Sequence, residues 1–298
     1  MKTRPATAHN NNLAGIVAML CAISLLSLMD AGLKLLAPHY PPLQIAALRG
    51  AASLPLVLGW AAATVGFKAL LHVRWPLHLV RGVLAIGMLT GFTYGLRTLP
   101  LTTAYTLFFI APLLITALSG PVLGERVGAG RWAAIAVGMA GVLVVLRPTG
   151  EGMLTLAGLA VLVAAFGYSV SALIVRVLGR TDSTQSMVFW LLTMLALGAG
   201  ALAAPGWVPI QPAHWPIIAG IGGAGMLGQY AITEAFSRGE ASVIAPLEYT
   251  ALAWGVGLDW ALWKVLPDSI TFVGAAIIVG SGLYLVRRER NVVPAIPP

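Results

Sequence analysis

The sequence predicts an all-α membrane protein: ten transmembrane helices in two inverted five-helix repeats around a central cavity. Three observations carry that expectation. Hydrophobic residues make up 58% of the 298 and charged residues only 9%, against about a quarter charged in a soluble domain, and the mean hydropathy is +0.88. The apolar residues come in long unbroken runs, which suit spanning helices and not the short alternating strands of an outer-membrane barrel. Finally, the Trp-Pro pair that opens one run, Trp75-Pro76, returns 140 positions later as Trp215-Pro216.

The elements follow from where the runs start and stop. Ten are expected, at 13–36, 42–63, 77–96, 101–123, 131–147, 154–177, 186–204, 214–235, 241–263 and 269–286. At about 20 residues per span, a chain of this length holds that many. The first run follows the polar segment MKTRPATAHNNN. It is longer than a signal-peptide core and lacks an Ala-x-Ala stop, so it reads as a span. APHYPP separates it from the second, and the third follows Trp75-Pro76. GERVGAG closes the fourth run, RPTGEG the fifth and APGWVPIQP the seventh, each rich in residues that stop a helix. The eighth opens on Trp215-Pro216, and the tenth runs into the basic tail RRER. Residues 1–12 and 289–298 read as polar cytoplasmic tails.

Orientation follows from the cations. With the N-terminus cytoplasmic, that side carries Lys2, Arg4, Lys68, Arg74, Arg126, Arg131, Arg176, Arg180, Arg238, Arg287, Arg288 and Arg290. The other side carries only Lys34, Arg49, Arg97, Arg147 and Lys264. Cytoplasmic loops collect Lys and Arg, so both termini are expected inside a bacterial-type inner membrane. Arg81, near the cytoplasmic end of the third run, is expected to snorkel to the interface. A shift of 140 also brings Gly82 onto Gly222 and LPLTTAYTL onto GEASVIAPL without a gap. Five is odd, so a second five-span unit must enter the membrane inverted. Its Trp-Pro entry is then external and lacks the cations, Arg74 and Arg81, that flank the first. The net charge of +8 and pI near 10.1 come from cations scattered singly between apolar runs, so no nucleic-acid partner is expected. The pseudo-twofold lies within one chain, so a monomer suffices.

Charges inside the runs cost about 2.5–3.5 kcal/mol each at a helix centre and are the first candidates for chemistry. Glu248 stands two residues after Pro246 in APLEYT. That proline removes a backbone hydrogen bond and leaves polar backbone that must face protein or a cavity. Glu248 reads either as a proton or substrate-amine site or as a carboxylate bonded to a neighbouring helix. Asp30 and Lys34 share a helix face and read as a self-neutralising pair near the external interface, or as part of a coupling path. Arg49 reads as a helix–helix tether, as the counter-charge of Asp30, or as the partner of a substrate carboxylate, which a guanidinium suits. Asp259 is expected at the external interface.

The candidate substrate-binding set adds aromatic residues to Glu248 and Arg49. Tyr94 and Tyr105 flank the third-to-fourth connection, Tyr168 is mid-run in the sixth, and Tyr249 and Trp254 are in the ninth. A phenol in hydrocarbon needs a partner. Trp75, Trp132, Trp207, Trp215, Trp260 and Trp263, at run ends, read as interfacial anchors. Gly87, Gly91 and Gly95 repeat every four residues, and the eighth run has Gly220, Ala224 and Gly228 at the same spacing. Such faces let helices pack closely, and each glycine weakens its helix by about 1 kcal/mol. With Pro112 and Pro246 they read as packing faces or as points of flexing.

Signals for other functions are missing. There is no G-x-x-x-x-G-K-[ST], no H-E-x-x-H and no G-x-S-x-G; the nearest text, GYSVS, lacks the second glycine. One cysteine, Cys21, allows no intrachain disulfide, and the five histidines fall in tails, loops or run ends. No cofactor, metal or enzymatic activity is expected.

The stretch TLFFIAPLLITALSGPVLGERVGAGRWAAIAVGMAGVLVVLRP (106–148) resembles the end of an EamA-type domain of the drug/metabolite transporter superfamily. EASVIAPLEYTALAWGVGLDWALWKVLPDSITFVGAAIIVGSGLYLVRR (240–288) resembles the end of a second. The resemblance implies a first repeat over 13–148, an inverted second over 154–288, and alternating access of a central cavity to small metabolites. One departure stands out: Gly124-Glu125, closing the fourth run, is Lys264-Val265 in the second half. Residues and resemblance together point to a secondary active or facilitative transporter of small metabolites. Amino acids or related zwitterions are the leading class, with export favoured, Glu248 for the ammonium, Arg49 for the carboxylate and protons as a candidate coupling ion. The alternatives are a carrier of S-adenosylmethionine, riboflavin, or a nucleotide-like or drug-like solute, and a non-transporting membrane factor.

Overall fold

The structure is a computed structural model and describes residues 8–66, 70, 71, 73–123, 129–146, 155–179, 181–238 and 245–290. Among these every regular element is helical. Helices α1 (Ala8–Leu36), α2 (Pro42–Thr64) and α3 (Trp75–Leu96) follow the first three expected runs. Both α2 and α3 carry a proline in their first turn, where its missing N–H has no intrahelical role.

The fourth run is not one helix, which corrects the expectation. Helix α4 (Leu101–Phe108) stops, Phe109 and Ile110 form a turn, and α5 (Ala111–Leu123) resumes. The cause is Pro112: in a continuous helix it could not donate to the Phe108 carbonyl, and its ring would strike it. Then come α6 (Ala129–Leu146) and α7 (Leu156–Leu178), the latter capped by Thr155 Oγ1, which accepts from the Gly158 amide at 3.2 Å. Helix α8 (Thr184–Met194) widens into a π-turn over Leu195–Ala199 before α9 (Gly200–Ala203). After α10 (Trp215–Arg238), the ninth run also departs from a single helix. It opens as a 3-10 segment, Ala245–Thr250, continues as α11 (Ala251–Leu258) and ends in a second π-turn, Asp259–Trp263. Lys264 then adopts the left-handed conformation at φ 57°, and α12 (Ser269–Arg290) completes the chain.

Among the described residues five helices are long and apolar enough to cross a membrane: Ala14–Leu36, Pro42–Thr64, Trp75–Leu96, Leu156–Val175 and Thr184–Gly206. Leu101–Ile115, Trp132–Val145 and Ser269–Tyr284 are shorter apolar stretches. Twenty-three residues rise about 34 Å, enough for a hydrocarbon core of about 30 Å. Val83 and Val163, each 70% exposed, belong to an apolar outer surface that water would not tolerate on this scale.

Helix α1 packs most extensively on α10, α3 on α7, and α12 on α6, while α2 lies between α10 and α8. Glycines set several of these approaches. A Cβ on Gly91 would lie 2.9 Å from the Ala160 carbonyl oxygen of α7, and one on Gly95 would collide with Val161. On α10, a Cβ at Gly228 would sit 2.8 Å from Leu26 of α1. One at Gly50 of α2 would sit 2.5 Å from the Ala196 amide in the first π-turn. Gly87 and Gly220, by contrast, face open space, so only part of each small-residue stripe is a packing face.

Polar ties hold both ends. At one, Arg97 donates from Nε to the Ala37 carbonyl at 3.0 Å and from Nη2 to Tyr40 at 2.9 Å. Gln44 exchanges two hydrogen bonds with the backbone of Val208, and the Tyr40 hydroxyl meets His214 Nδ1 at 2.7 Å. At the other, Asp182 pairs with His78 at 2.8 Å and accepts from the Arg74 amide at 3.1 Å. Burial pushes the Asp182 carboxyl up, but hydrogen bonds from Thr181 and His78 outweigh it and hold the group below the usual carboxylate range.

Candidate functional site

Asp259 organises the end where α1, α4 and α11 meet. Its carboxylate is fully buried. Oδ1 accepts from Lys34 Nζ at 2.8 Å and from the Leu101 amide at 2.9 Å; Oδ2 accepts from the Thr102 amide at 2.8 Å and from Thr102 Oγ1 at 3.0 Å. Pro100 stands at the N-cap of α4 and has no side-chain cap to give. A carboxylate from 158 residues away therefore takes that role. The Lys34 ammonium also sits 4.2 Å above the Trp263 ring, so Trp263 is less a surface anchor than the other tryptophans. Two expectations are corrected here. Asp259 is not interfacial, and Asp30 and Lys34 do not neutralise each other, because a desolvated carboxylate holding three further donors is the stronger partner.

Asp30 turns to α4 instead. The Tyr105 hydroxyl donates to Asp30 Oδ2 at 2.9 Å, and Arg49 acts electrostatically on the same carboxylate. Arg49 Nε is buried without a hydrogen-bond partner beside Gly225, where a Cβ would lie 3.7 Å from it. Asp30 and Arg49 therefore lie within electrostatic range of each other but form no ion pair among the described residues.

From Tyr105 a row of rings leads to Glu248. Phe92 stacks on Tyr105 at 6.4 Å and meets Phe108 edge-on at 5.6 Å, and Phe108 reaches Tyr168 at 5.3 Å. In the other direction Tyr105 stacks on Phe109 at 6.5 Å, and Phe109 meets Tyr249 at 5.2 Å. Phe108, the last residue of α4, and Phe109, in the turn after it, stand three and four residues beyond Tyr105. The spacing in YTLFF was the sequence signal for Phe108 and Phe109, which the expected set omitted along with Phe92. Glu248, in the 3-10 segment, acts electrostatically on both Tyr168 and Tyr249. Among the described residues it has no ion pair and no hydrogen bond. The Tyr249 phenol rests against Gly282 of α12, where a side chain would collide with it.

Arg81 acts on the same Tyr168 with the opposite sign of charge. It is 7% exposed, donates from Nη1 to the Met187 carbonyl of α8 at 2.8 Å, and leaves Nε buried without a partner. It does not snorkel: the carbonyl holds it inside. Two members of the expected set stand apart from the row. Trp254, 38% exposed, lines an outward groove of about 380 Å³ with Leu20 and Ser24. Tyr94 is half-buried and packs against the main hydrophobic core. Among the described residues no cluster of three metal-binding side chains exists. The Gly124-Glu125 pair lies outside the described residues.

A multi-pass membrane protein with buried charges and rings in its interior is the class that this fold defines. The model of the EamA-like transporter family matches residues 13–147 and again 155–287. The chain belongs to that family, within the drug/metabolite transporter superfamily. It is 27% identical to the pseudopaline exporter of Pseudomonas aeruginosa (strain UCBPP-PA14), over 93% of this chain and 98% of that one. It is 30% identical to the riboflavin transporter of Vibrio cholerae, over 85% of this chain and 87% of the other. A protein of known crystal structure, 21% identical, shares the fold with a TM-score of 0.66 over 96% of this chain and 100% of its own. The protein is accordingly a multi-pass inner-membrane protein whose family and relatives transport small molecules.

Proposed function

We propose that the chain is a secondary carrier of small zwitterionic metabolites, amino acids the leading class, which it exports by alternating access. One observation carries this reading: Glu248, in the 3-10 segment Ala245–Thr250, is a carboxylate with no ion pair among the described residues, beside Tyr249 at the end of a row of aromatic rings. An unpaired buried charge is costly. A substrate ammonium compensates it, and Tyr168 and Tyr249 add cation–π attraction of about 0.5–2 kcal/mol. Tyr105, Asp30 and Arg49 then lie further along the same path. The pseudopaline exporter among the relatives supports outward transport. The riboflavin transporter, with the six-ring row, favours a second reading in which the solute is a flat heteroaromatic metabolite.

The architecture in this proposal is ten spans in two inverted repeats. The double family match supports it, as does the packing. Exchanging the halves turns the α1–α10 contact into α7–α3, while α2–α8 and α6–α12 map onto themselves. The glycine seams at Gly91, Gly95 and Gly228 and the helix breaks at Pro112 and Pro246 are the places where the halves move, and protons couple through Glu248. No catalytic step is needed. Counterflow of amino acids in proteoliposomes tests the reading. Glu248→Gln should abolish the dependence of flux on a pH gradient and weaken exchange at least tenfold. A Glu248→Gln protein that exchanges like wild type would overturn it.

A further inference from the structure

We propose that the hydrogen bond between Tyr40 and His214 is a pH-sensitive latch, which ties the two halves together at one end of the molecule and opens when His214 takes up a proton. The latch depends on the fold and not on which solute is carried.

The two family-matched segments meet at this end through a small set of polar contacts. From the first, Tyr40 lies in the α1–α2 connection and Gln44 in the first turn of α2. From the second, Val208, Gln211 and His214 lie in the connection that leads into α10. Tyr40 is 1% exposed. Its hydroxyl accepts from the Gln211 amide at 3.0 Å and lies 2.7 Å from His214 Nδ1. A backbone amide can only donate, so the phenol proton must find its acceptor elsewhere. Among the described residues that acceptor is His214 Nδ1. The closed latch therefore holds the neutral imidazole, with its hydrogen on Nε2.

Protonation reverses this requirement. Nδ1 becomes a donor, the Tyr40 oxygen faces two donors, and its own buried proton loses its acceptor. The surroundings also resist the added charge. The His39 ring lies 4.6 Å from that of His214, and imidazoles charge between about pH 5 and 8, so acid sets two cations side by side. Arg97 donates to the Ala37 and Tyr40 carbonyls at 3.0 and 2.9 Å, which puts a guanidinium on the same connection. Lys34 is neutralised by Asp259 at 2.8 Å, Lys264 lies over the Trp260 ring, and Asp268 accepts from the Thr271 amide of α12. Among the described residues no carboxylate stands within ion-pair distance of His39 or His214. The latch is thus closed at neutral pH and lost as pH falls. Gln44 and the Val208 backbone, bonded at 2.7 and 2.9 Å, carry no titrating group and keep the halves partly tied. Release therefore shifts a population between closed and open forms. With both termini cytoplasmic, as the cations propose, this end faces outward, and external acid favours the outward-open carrier.

The test needs no substrate, so its outcome is separate from that of the carrier reading. Spin labels are placed on Pro38→Cys and Gly206→Cys in the full chain, with Cys21→Ser as background. Pro38 is exposed, and a side chain at Gly206 enters open space. Dipolar spectroscopy of the purified protein should give one short distance at pH 8. At pH 5 a longer component should appear, its population about tenfold higher. His214→Asn keeps an acceptor oxygen near the place of Nδ1 and cannot charge, so it should stay short at both pH values. Tyr40→Phe should show the longer component at both. A parent distribution that is the same at pH 8 and pH 5 would overturn the latch, and so would a His214→Asn protein that opens like the parent. If His39→Gln abolishes opening and His214→Asn does not, the switch lies in His39 and the hydrogen-bond account falls. Should Tyr40→Phe fail to fold, the His214→Asn comparison decides by itself.

Discussion

Asp259 shows how much one side chain decides. Its two oxygens join α1, through Lys34, to the first amides of α4, and α4 carries Tyr105, Phe108 and the turn at Phe109. Removing Lys34 leaves the carboxylate its three α4 donors. Removing Asp259 strips the cap from α4 and leaves Lys34, only 11% exposed, without its counter-ion. Breaking a buried pair from one side costs about 3–5 kcal/mol. Asp259→Ala should reach that range and Lys34→Ala should fall below it, as read by thermal unfolding of the detergent-purified protein. Equal losses from the two variants would deny Asp259 its separate role at α4. At this scale the sequence reading named Asp30, Lys34, Arg49, Glu248, Tyr105, Tyr168 and Tyr249 but paired Asp30 with Lys34. The nearest opposite charge along a helix, four residues away, lost to one 225 positions away, a contact that no local pattern announces.

Elements are where proline and glycine spoke most directly, and also where they misled. Pro112 was visible as an interruption, and the chain breaks four residues before it because its ring and missing N–H act on the carbonyl there. Pro246 likewise falls in a 3-10 segment. Lys264 occupies the left-handed position past a helix end that favours glycine. The glycine stripes, however, looked uniform in sequence and are not. Gly91→Ala should push against the Ala160 carbonyl at 2.9 Å and destabilise by about 1–3 kcal/mol. Gly87→Ala enters open space and should be neutral or stabilise by up to about 1 kcal/mol. Melting curves of the two variants compare them directly, and similar losses would mean that both positions are packed.

For the whole molecule, composition required a membrane and left little else open. The cation count is the ground for proposing both termini in the cytoplasm, an orientation that reporter fusions to each end can measure. Both fusions should be active in the cytoplasm, and opposite locations would refute an even number of spans and the two-by-five arrangement together. Packing carries the remaining argument at this scale: each half lends a helix to the other, α1 against α10 and α7 against α3, so neither half encloses an interior by itself. Among the buried charges Lys34 and Asp259 close an ion pair, while Arg49 and Arg81 each keep a buried Nε without a hydrogen-bond partner among the described residues.

By itself the sequence determined the solvent, the helical class and most helix starts, because hydropathy and proline or glycine punctuation act within a few residues of chain. It also marked the costly residues, since a charge or phenol in hydrocarbon is conspicuous wherever it falls. Only the tertiary structure decided which of these meet. Partner choice among buried charges depends on distances between helices remote in sequence, and electrostatic energy in a low-dielectric interior follows that distance alone.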